Sequence, residues 1–531
     1  MRALLNDPDA AYRRRWATLL VLCLSLMVIG LDNTILNVAI PTLSRSLRAS
    51  TSQLQWIVDS YTIVFAGLLL TAGSLGDRFG RYKTLTAGLV IFGAGSAASA
   101  LATSANMLIA TRAFMGIGGA FIMPATLSII TNVFTEPAER GKAIGIWAGV
   151  SALGIGFGPL AGGFLLSHFW WGSVFLINVP VVIGALVLGF VLIPDSSDPS
   201  APKLDPLGAL LSIVGLGALL YAIIEGPSYG WSSPQVLTGF ALGVVVLGGF
   251  MAWELNYSSP MLDIRFFENP RFTAASGAIT LTFFTLFGSL FLLTQYLQSV
   301  LGYSTLKAGA VLIPQALVLM VVAPSSNLFV QRLGNKVVVA FGLSVVAVTM
   351  LIFALLSATA PMWEVIATTC VLGLGMGNVM APATDSIMGS LPREKAGVGS
   401  AVNDTTRQVG GAVGVAVLGS VLSSGYRHSV VRAEAAQHLP ATIIKAMGDN
   451  VGQAVGVAHS AQAGPLAATI TRIAGQSYVT AFHTATIMGA VVMALATLGV
   501  MLWLPARPAD IPAPVPAEAE LGSFATAGVG G

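Results

Sequence analysis

Residues 73–83 have the sequence GSLGDRFGRYK and join two long apolar runs. Glycine lets the chain turn tightly, so the helices on either side can lie close together. An aspartate beside several basic side chains can form charge-assisted hydrogen bonds that hold this end of the helices in one state. The stretch therefore predicts a gate, with a solvated basic loop as the alternative. The residues assigned to the gate are Gly73, Asp77, Arg78, Gly80 and Arg81.

The composition indicates what surrounds this stretch. The chain has 531 residues, of which 55% are apolar and only 9% are charged. Soluble proteins carry roughly 25% charged residues. A chain so poor in charge cannot solvate a surface, but it can form many membrane spans of about 20 residues each. We therefore predict an all-α polytopic membrane protein whose main partner is the lipid bilayer.

The hydropathy pattern predicts fourteen transmembrane helices in two six-helix bundles with a central extra pair. The runs of the first bundle lie at 16–40, 54–73, 84–103, 106–132, 142–168 and 172–194. The extra pair lies at 206–225 and 235–254. The runs of the second bundle lie at 272–300, 306–331, 336–358, 363–390, 396–424 and 480–504.

These runs divide the chain into predicted segments. They are an N-terminus (1–15), a first bundle (16–194), a linker with the extra pair (195–257), a second bundle (258–504) with a long external loop (425–479), and a disordered tail (505–531). The tail is rich in proline, alanine and glycine, a composition that cannot bury a core.

The basic residues predict the orientation. Lysine and arginine are retained in cytoplasmic loops, and with the N-terminus inside, the short outer loops hold only Arg45, Arg48 and Lys307. Both termini are then cytoplasmic. The net charge of +3 reflects this bias, so we expect no nucleic-acid partner.

A second glycine pattern lies in the fifth run, where residues 154–163 have the sequence GIGFGPLAGG. Glycines spaced four residues apart share one helix face and let a neighbouring backbone approach, and proline favours a kink. Generic packing of small residues is the alternative. The motif residues are Gly154, Gly158, Pro159, Gly162 and Gly163.

These two motifs resemble those of the major facilitator superfamily, and further stretches resemble its fourteen-helix drug/proton antiporter family. The further stretches are LDNTILNVAIP (31–41), WIVDSY (56–61), Leu108-x3-Arg112-x3-Gly116 and YLQSVLGY (296–303). The resemblance implies a bacterial inner-membrane antiporter that exports amphipathic, cationic drugs or toxic compounds in exchange for protons. We expect it to work as a monomer, without cofactor, metal or catalytic residues.

Charged residues inside spans are costly, so they are functional candidates. Asp32, Asp59 and Arg112 are all predicted in the outer half of the first bundle. Asp385, Asp404 and Arg407 are predicted near the inner side. Asp404 and Arg407 are three residues apart on one helix face, so a permanent structural ion pair is the alternative.

A coupling hypothesis follows from Asp32 and Arg112. A carboxylate in a low dielectric favours its protonated form unless a cation is close. Movement of Arg112, or arrival of a cationic substrate, would then release or admit a proton. The transport cavity is expected near the midplane between the bundles, and aromatic side chains there would suit cationic apolar molecules. The candidates are Phe283, Phe284, Phe287, Gln295 and Tyr296, with lipid-facing packing as the alternative.

Other classes of function find less support. A primary pump needs a nucleotide-binding loop of the Gly-x4-Gly-Lys-Ser/Thr type, and an embedded enzyme needs a nucleophile or metal cluster; neither pattern occurs in the sequence. Export of a lipid or secreted metabolite, or a transport-dead membrane sensor, remain open alternatives.

Overall fold

The computed structural model describes residues 8–197, 204–391, 396–435, 447, 450–458 and 466–505. Within this described part the chain forms fourteen long helices and no strand. The predicted tail, apart from its first residue, and the first seven residues of the N-terminus lie outside the described part.

The first bundle contains six helices. They are α1 (Pro8–Ser46), α2 (Thr51–Phe79), α3 (Arg81–Ala100), α4 (Ala105–Val133), α5 (Pro137–His168) and α6 (Asn178–Leu192), with one helical turn at Ser173–Leu176 before α6. The extra pair is α7 (Pro206–Tyr229) and α8 (Pro234–Asn256), and a 3₁₀ turn at Ile264–Glu268 follows it.

The second bundle also contains six long helices. They are α9 (Pro270–Gln295, continued by a π-helical turn at Tyr296–Val300), α10 (Ile313–Leu333, preceded by Thr305–Val311), α11 (Asn335–Phe353), α12 (Met362–Gly389), α13 (Ala396–Ala435) and α14 (Ala467–Trp503). A short helix, Val451–Ala458, lies between α13 and α14.

Twelve helices in the described ranges are long and apolar enough to cross a membrane. Helices α3 and α5 are outside that set, although each coincides with a predicted apolar run. The protein is therefore a multi-pass membrane protein, and the total of fourteen spans remains a prediction.

Serine caps explain where several helices begin. The Ser50 side chain accepts a hydrogen bond from the backbone of Gln53, and the Gln53 side chain accepts one from the backbone of Ser50. The Ser104 and Ser233 side chains cap α4 and α8 by accepting hydrogen bonds from the backbone N–H groups of Met107 and Val236. Such caps satisfy backbone N–H groups that a helix start leaves unpaired. The polar residues between apolar runs thus set the helix boundaries.

Two glycines with positive φ angles mark equivalent turns in the two bundles. Gly80 (φ +114°) separates α2 from α3, and Gly334 (φ +82°) separates α10 from α11. Only glycine adopts such angles without strain. We call the end of the molecule that carries residues 73–83 the motif side, and the opposite end the far side.

The extra pair packs against both bundles, because α7 contacts α2 of the first and α13 of the second. Ile63 of α2, Leu220 and Ile224 of α7, and Ala412 and Ala416 of α13 form one small apolar cluster. The linker pair is thus part of the interface between the bundles.

Polar contacts reinforce this arrangement on the far side. Trp56 Nε1 of α2 donates to Glu225 of α7 at 3.2 Å. Arg427 Nη1 of α13 donates to the Pro227 carbonyl of α7 at 3.1 Å. Glu225 is partly buried, because α7 lies between the two bundles.

Much of the predicted external loop 425–479 is helical where it is described. Residues 425–435 continue α13, and residues 467–479 belong to α14. Hydropathy alone ends a span where polar residues begin, whereas a helix continues as long as its backbone hydrogen bonds do.

Candidate functional site

A buried ion pair joins α1 to α4. Arg112 Nη1 donates to Asp32 Oδ2 at 2.5 Å, and the side chains are 2% and 0% exposed. Arg112 Nε also donates to the Ile57 carbonyl of α2 at 3.1 Å. An unpaired charge at this depth would be very costly. Three helices therefore meet at one charged pair.

A polar shell surrounds the pair. Asn178 Nδ2 lies 3.4 Å from Asp32 Oδ1 and donates to Ser96 Oγ at 3.1 Å. The Arg112 guanidinium lies 4.4 Å from the centre of the Tyr61 ring, a cation–π contact. Asn178 and Ser96 had no assigned role in the sequence; an amide inside an apolar run was the only available signal.

Asp59 is buried but does not join this pair. Neither of its carboxylate oxygens has a hydrogen-bond partner among the described residues. It lies on α2 one turn from Gln55 and one turn from Ile63, which contact α13 and α7. The expected cluster of three charges is therefore a pair and a separate carboxyl group.

The motif side contains a cavity of about 350 Å³ between the two bundles. Residues from α2, α4, α5 and α13 line it, together with Asp205 before α7 and the stretch after α8. The charged side chains among the described lining residues are all acidic: Asp77, Asp205 and Asp404. Apolar residues complete the wall: Leu69, Leu70, Met123, Leu127, Trp147 and Met261.

Asp404 and Arg407 lie on α13 with 3.7 Å between Oδ1 and Nη1. Arg407 Nη2 donates to Thr384 at 3.3 Å, and its guanidinium lies 5.4 Å from the centre of the Phe283 ring. The long separation leaves the Asp404 carboxylate loosely paired. Asp385, on the motif-side end of α12, is exposed and is not among the lining residues of this cavity.

The far side is closed. Gln55 Nε2 of α2 donates to the Val415 and Ala416 carbonyls of α13 at 3.1 and 2.9 Å. Gln298 Nε2 after α9 donates to the Val38 carbonyl of α1 at 2.8 Å. These amides hold the two bundles together, and the sequence had given them no such role.

A small cavity of about 10 Å³ remains between the closed far side and the midplane. Arg112, Asn33 and Asn37 line it from the first bundle, and Phe287 and Gln408 from the second. It has room for about one water molecule. The ion pair therefore borders the central interface.

The gate residues bond to each other and to the linker. Arg81 Nε donates to Asp77 Oδ1 at 2.8 Å, and the Arg81 backbone N–H donates to the Ser196 carbonyl at 2.9 Å. Arg78 is exposed, and its guanidinium lies 5.9 Å from the Phe79 ring. A Cβ on Gly73 would lie 3.6 Å from Pro124 of α4.

The glycines of α5 face two different helices. A Cβ at Gly154, Gly158 or Gly162 would meet the backbone of α1 at 3.0–3.1 Å. A Cβ at Gly163 would meet the backbone at Thr305, and the Pro159 carbonyl packs against Gly309. Helix α5 thus contacts α1 within its bundle and residues 305–311 of the other bundle.

The aromatic candidates have different surroundings. Phe287 lines the small cavity, and Phe283 approaches Arg407. The Phe284 carbonyl packs against Gly414 of α13. Gln295 donates to the Phe291 carbonyl of its own helix. Tyr296 stacks on Phe482 and donates to the Ser357 carbonyl, so it packs inside the second bundle.

Comparison with known proteins decides the family. The family model described as Major Facilitator Superfamily matches residues 22–415. The chain belongs to this superfamily. Its members are membrane transporters, so this major facilitator protein is a transporter rather than an enzyme.

Relatives of this major facilitator protein include named resistance proteins. It is 37% identical to the multidrug efflux pump LfrA of Mycolicibacterium smegmatis, over 87% of this chain and 90% of the relative. It is 34% identical to the tetracenomycin C resistance and export protein of Streptomyces glaucescens, over 79% of this chain and 78% of the relative. It is 34% identical to the methyl viologen resistance protein SmvA of Salmonella typhimurium, over 84% of this chain and 90% of the relative.

A solved structure supports the fold. A bacterial homologue of the human lysosomal transporter Spinster, in an inward-facing and unoccupied conformation, superposes with a TM-score of 0.66. The identity is 18%, and the match covers 93% of this chain and 98% of that one.

Proposed function

We propose that this protein exports amphipathic, cationic compounds across the bacterial inner membrane in exchange for protons, by alternating access. The motif side faces the cytoplasm in this proposal, because the basic loops lie there. The observation that carries the proposal is the buried Asp32–Arg112 pair beside the central interface.

The pair offers a mechanism for coupling. In this far-side-closed state, Arg112 is the ion-pair partner of Asp32. When the bundles move and α4 shifts relative to α1, the carboxylate loses its partner and takes up a proton. Return of Arg112 expels the proton. Arg112 also lines the small cavity between the bundles. Proton uptake and release by Asp32 therefore depend on whether a substrate occupies this cavity.

The motif-side cavity supports the substrate class. Its volume of about 350 Å³ lies within the range of drug-binding pockets. Acidic side chains attract a cation, and the apolar wall accommodates an amphipathic body. The names of the relatives, a multidrug efflux pump and two resistance proteins, support export of toxic compounds.

Ethidium export from cells tests the proposal. Export should stop when a protonophore collapses the proton gradient, and Asp32→Asn should abolish it because the amide cannot carry the proton. Glu268→Gln is a matched control, since this carboxylate is exposed after α8; its export should equal that of the parent.

Unimpaired, gradient-dependent export by Asp32→Asn would refute the coupling role. Absence of ethidium export by well-expressed parent protein would refute the cationic-drug assignment. A lipid or secreted metabolite would then be the substrate class to test.

A further inference from the structure

Two buried acidic side chains meet at the motif-side end of the extra pair. Asp205 precedes α7, and its Oδ1 accepts hydrogen bonds from the Gly208 backbone at 2.8 Å and from Trp253 Nε1 at 2.9 Å. Glu254 is in the last turn of α8, and its Oε2 accepts a hydrogen bond from the Leu262 backbone at 3.0 Å. One oxygen of each carboxylate is therefore satisfied.

The other two oxygens face one small space. Asp205 Oδ2 and Glu254 Oε1 have no hydrogen-bond partner among the described residues, and the side chains are only 3% and 2% exposed. A Cβ on Gly208 would lie 2.5 Å from the first oxygen and 2.6 Å from the second. Glycine leaves this space open.

Electrostatics decides what occupies the space. Two adjacent buried carboxylates cannot both be ionised without strong repulsion, and a single shared proton removes it. A calcium ion would need six to eight oxygens, whereas this site offers two free ones. We propose that Asp205 and Glu254 bind one proton between Oδ2 and Oε1, and that this proton holds residues 257–263 against the extra pair.

Residues 257–263, which we call the strap, connect α8 to the second bundle. Ser259, Pro260 and Met261 line the motif-side cavity of about 350 Å³. The other face of the strap borders a second cavity of about 540 Å³, which Glu254 also lines. Because Asp205 lines the first cavity and Glu254 the second, water in either can exchange the proton.

The charged side chains described around the two carboxylates do not replace the proton. Asp77 and Asp404 line the first cavity, and Asp263 and Arg265 line the second. Arg265 is exposed. The Tyr257 hydroxyl donates to the Leu204 carbonyl at 3.2 Å. The nearby carboxylates add negative potential, which favours proton binding further.

The test measures strap accessibility in the full-length, detergent-purified protein. Cys23 and Cys370 are replaced by alanine, and Ser259→Cys serves as the reporter for a maleimide. Labelling rates are compared with and without Glu254→Gln at about pH 5.5 and about pH 8.5, values on either side of the range in which buried carboxyl groups titrate. At each pH, the labelling rate with Glu254 intact is divided by the rate of the Glu254→Gln variant. This ratio removes the pH dependence of the cysteine thiol's own reactivity.

The glutamine in Glu254→Gln supplies a permanent N–H donor to Asp205. The strap of this variant should therefore stay against the extra pair at both pH values. At low pH, the reporter with Glu254 intact should be labelled at the same rate as the Glu254→Gln variant. At high pH the shared proton is lost, the two carboxylates repel each other and the strap is released. Labelling with Glu254 intact should then be roughly tenfold faster than in the variant. Asp205→Asn offers the equivalent donor from the other side while keeping the α7 cap, and it replaces Glu254→Gln if that variant fails to fold.

Equal rates at both pH values would overturn the proposal. So would rates that depend on added Na⁺ or Ca²⁺ and not on pH, since the occupant would then be a metal cation. This inference does not rest on the proposed export of cations. Ethidium export is not its readout, so either proposal can fail without the other.

Discussion

Arg112 Nη1 lies 2.5 Å from Asp32 Oδ2, and this bond joins α4 to α1 at a depth where both side chains are buried. Arg112→Met should therefore leave an uncompensated buried carboxylate and lower the stability by about 3–5 kcal/mol. The measurement is thermal unfolding of the purified protein in detergent.

The double variant Asp32→Asn with Arg112→Met is the control for this prediction. Removing both charges should restore most of the stability lost in the single variant. If the double variant unfolds as readily as Arg112→Met alone, the pair does not act as the electrostatic unit described above.

Gln55 is predicted to stabilise the closed far side. Gln55→Leu removes the hydrogen bonds from the Gln55 amide to the Val415 carbonyl, the Ala416 carbonyl and Ser420 Oγ of α13. A hydrogen bond of this kind contributes about 0.5–1.5 kcal/mol. The fraction of molecules open on the far side should rise roughly tenfold. Spin labels at Leu101 and Met362, exposed residues at the far ends of the two bundles, report the distance.

Gln295→Leu provides the matched control. This glutamine is also buried in a helix, but its amide bonds to the Phe291 carbonyl of the same helix. The distance distribution should therefore match that of the parent. Similar opening in both variants would mean that loss of a buried amide, rather than of an inter-bundle bond, causes the change.

Gly158 is predicted to tolerate no side chain. A Cβ there would overlap Thr34 Oγ1 and approach the Leu31 carbonyl to 3.1 Å. Gly158→Ala should cost about 1–3 kcal/mol, because α1 and α5 must move apart. Thermal unfolding measures the loss.

Gly145→Ala on the same helix is the control, because no atom of a packed neighbour in the described part of the chain lies within 4 Å of the added Cβ. It should be neutral or more stable by about 0.5–1 kcal/mol, since alanine favours a helix over glycine. Equal destabilisation by the two variants would argue against the α1–α5 contact.

The ion pair between Glu139 and Arg15 predicts a pH-dependent contribution to stability. Glu139 lies just before the predicted fifth span, and hydrogen bonds from Arg15 at 2.8 and 2.9 Å lower the pKa of its carboxyl group. A carboxyl group whose pKa is lower in the folded protein than in the unfolded chain stabilises the fold at pH values above its unfolded-state pKa. This stability is lost as the pH falls through the pKa of the folded state.

Glu139→Gln should therefore lower the melting temperature at neutral pH, with a difference that shrinks below about pH 4. Glu136→Gln is the control, because Glu136 is an exposed neighbour whose side chain makes no capping bond. A difference for Glu139→Gln that is constant with pH would contradict the prediction.

The sequence alone determined the helical membrane fold, the family resemblance and the residues of the buried pair. Each rests on local information. A run of about 20 apolar residues must be a helix in lipid, because its backbone groups have no other partners there. A charge inside such a run, as with Asp32 and Arg112, needs a partner nearby.

The tertiary structure alone decided which helix faces meet. Asp59 and Arg112 are at similar depths, yet Asp59 has no partner among the described residues, because its face of α2 turns toward α7 and α13. Asp205 and Glu254 are distant in sequence and meet only because α7 and α8 pack as a hairpin. Hydropathy predicts how deep a residue lies in the membrane, but it does not predict the rotation of each helix about its own axis. Side-chain packing between helices sets that rotation and thus which residues face each other.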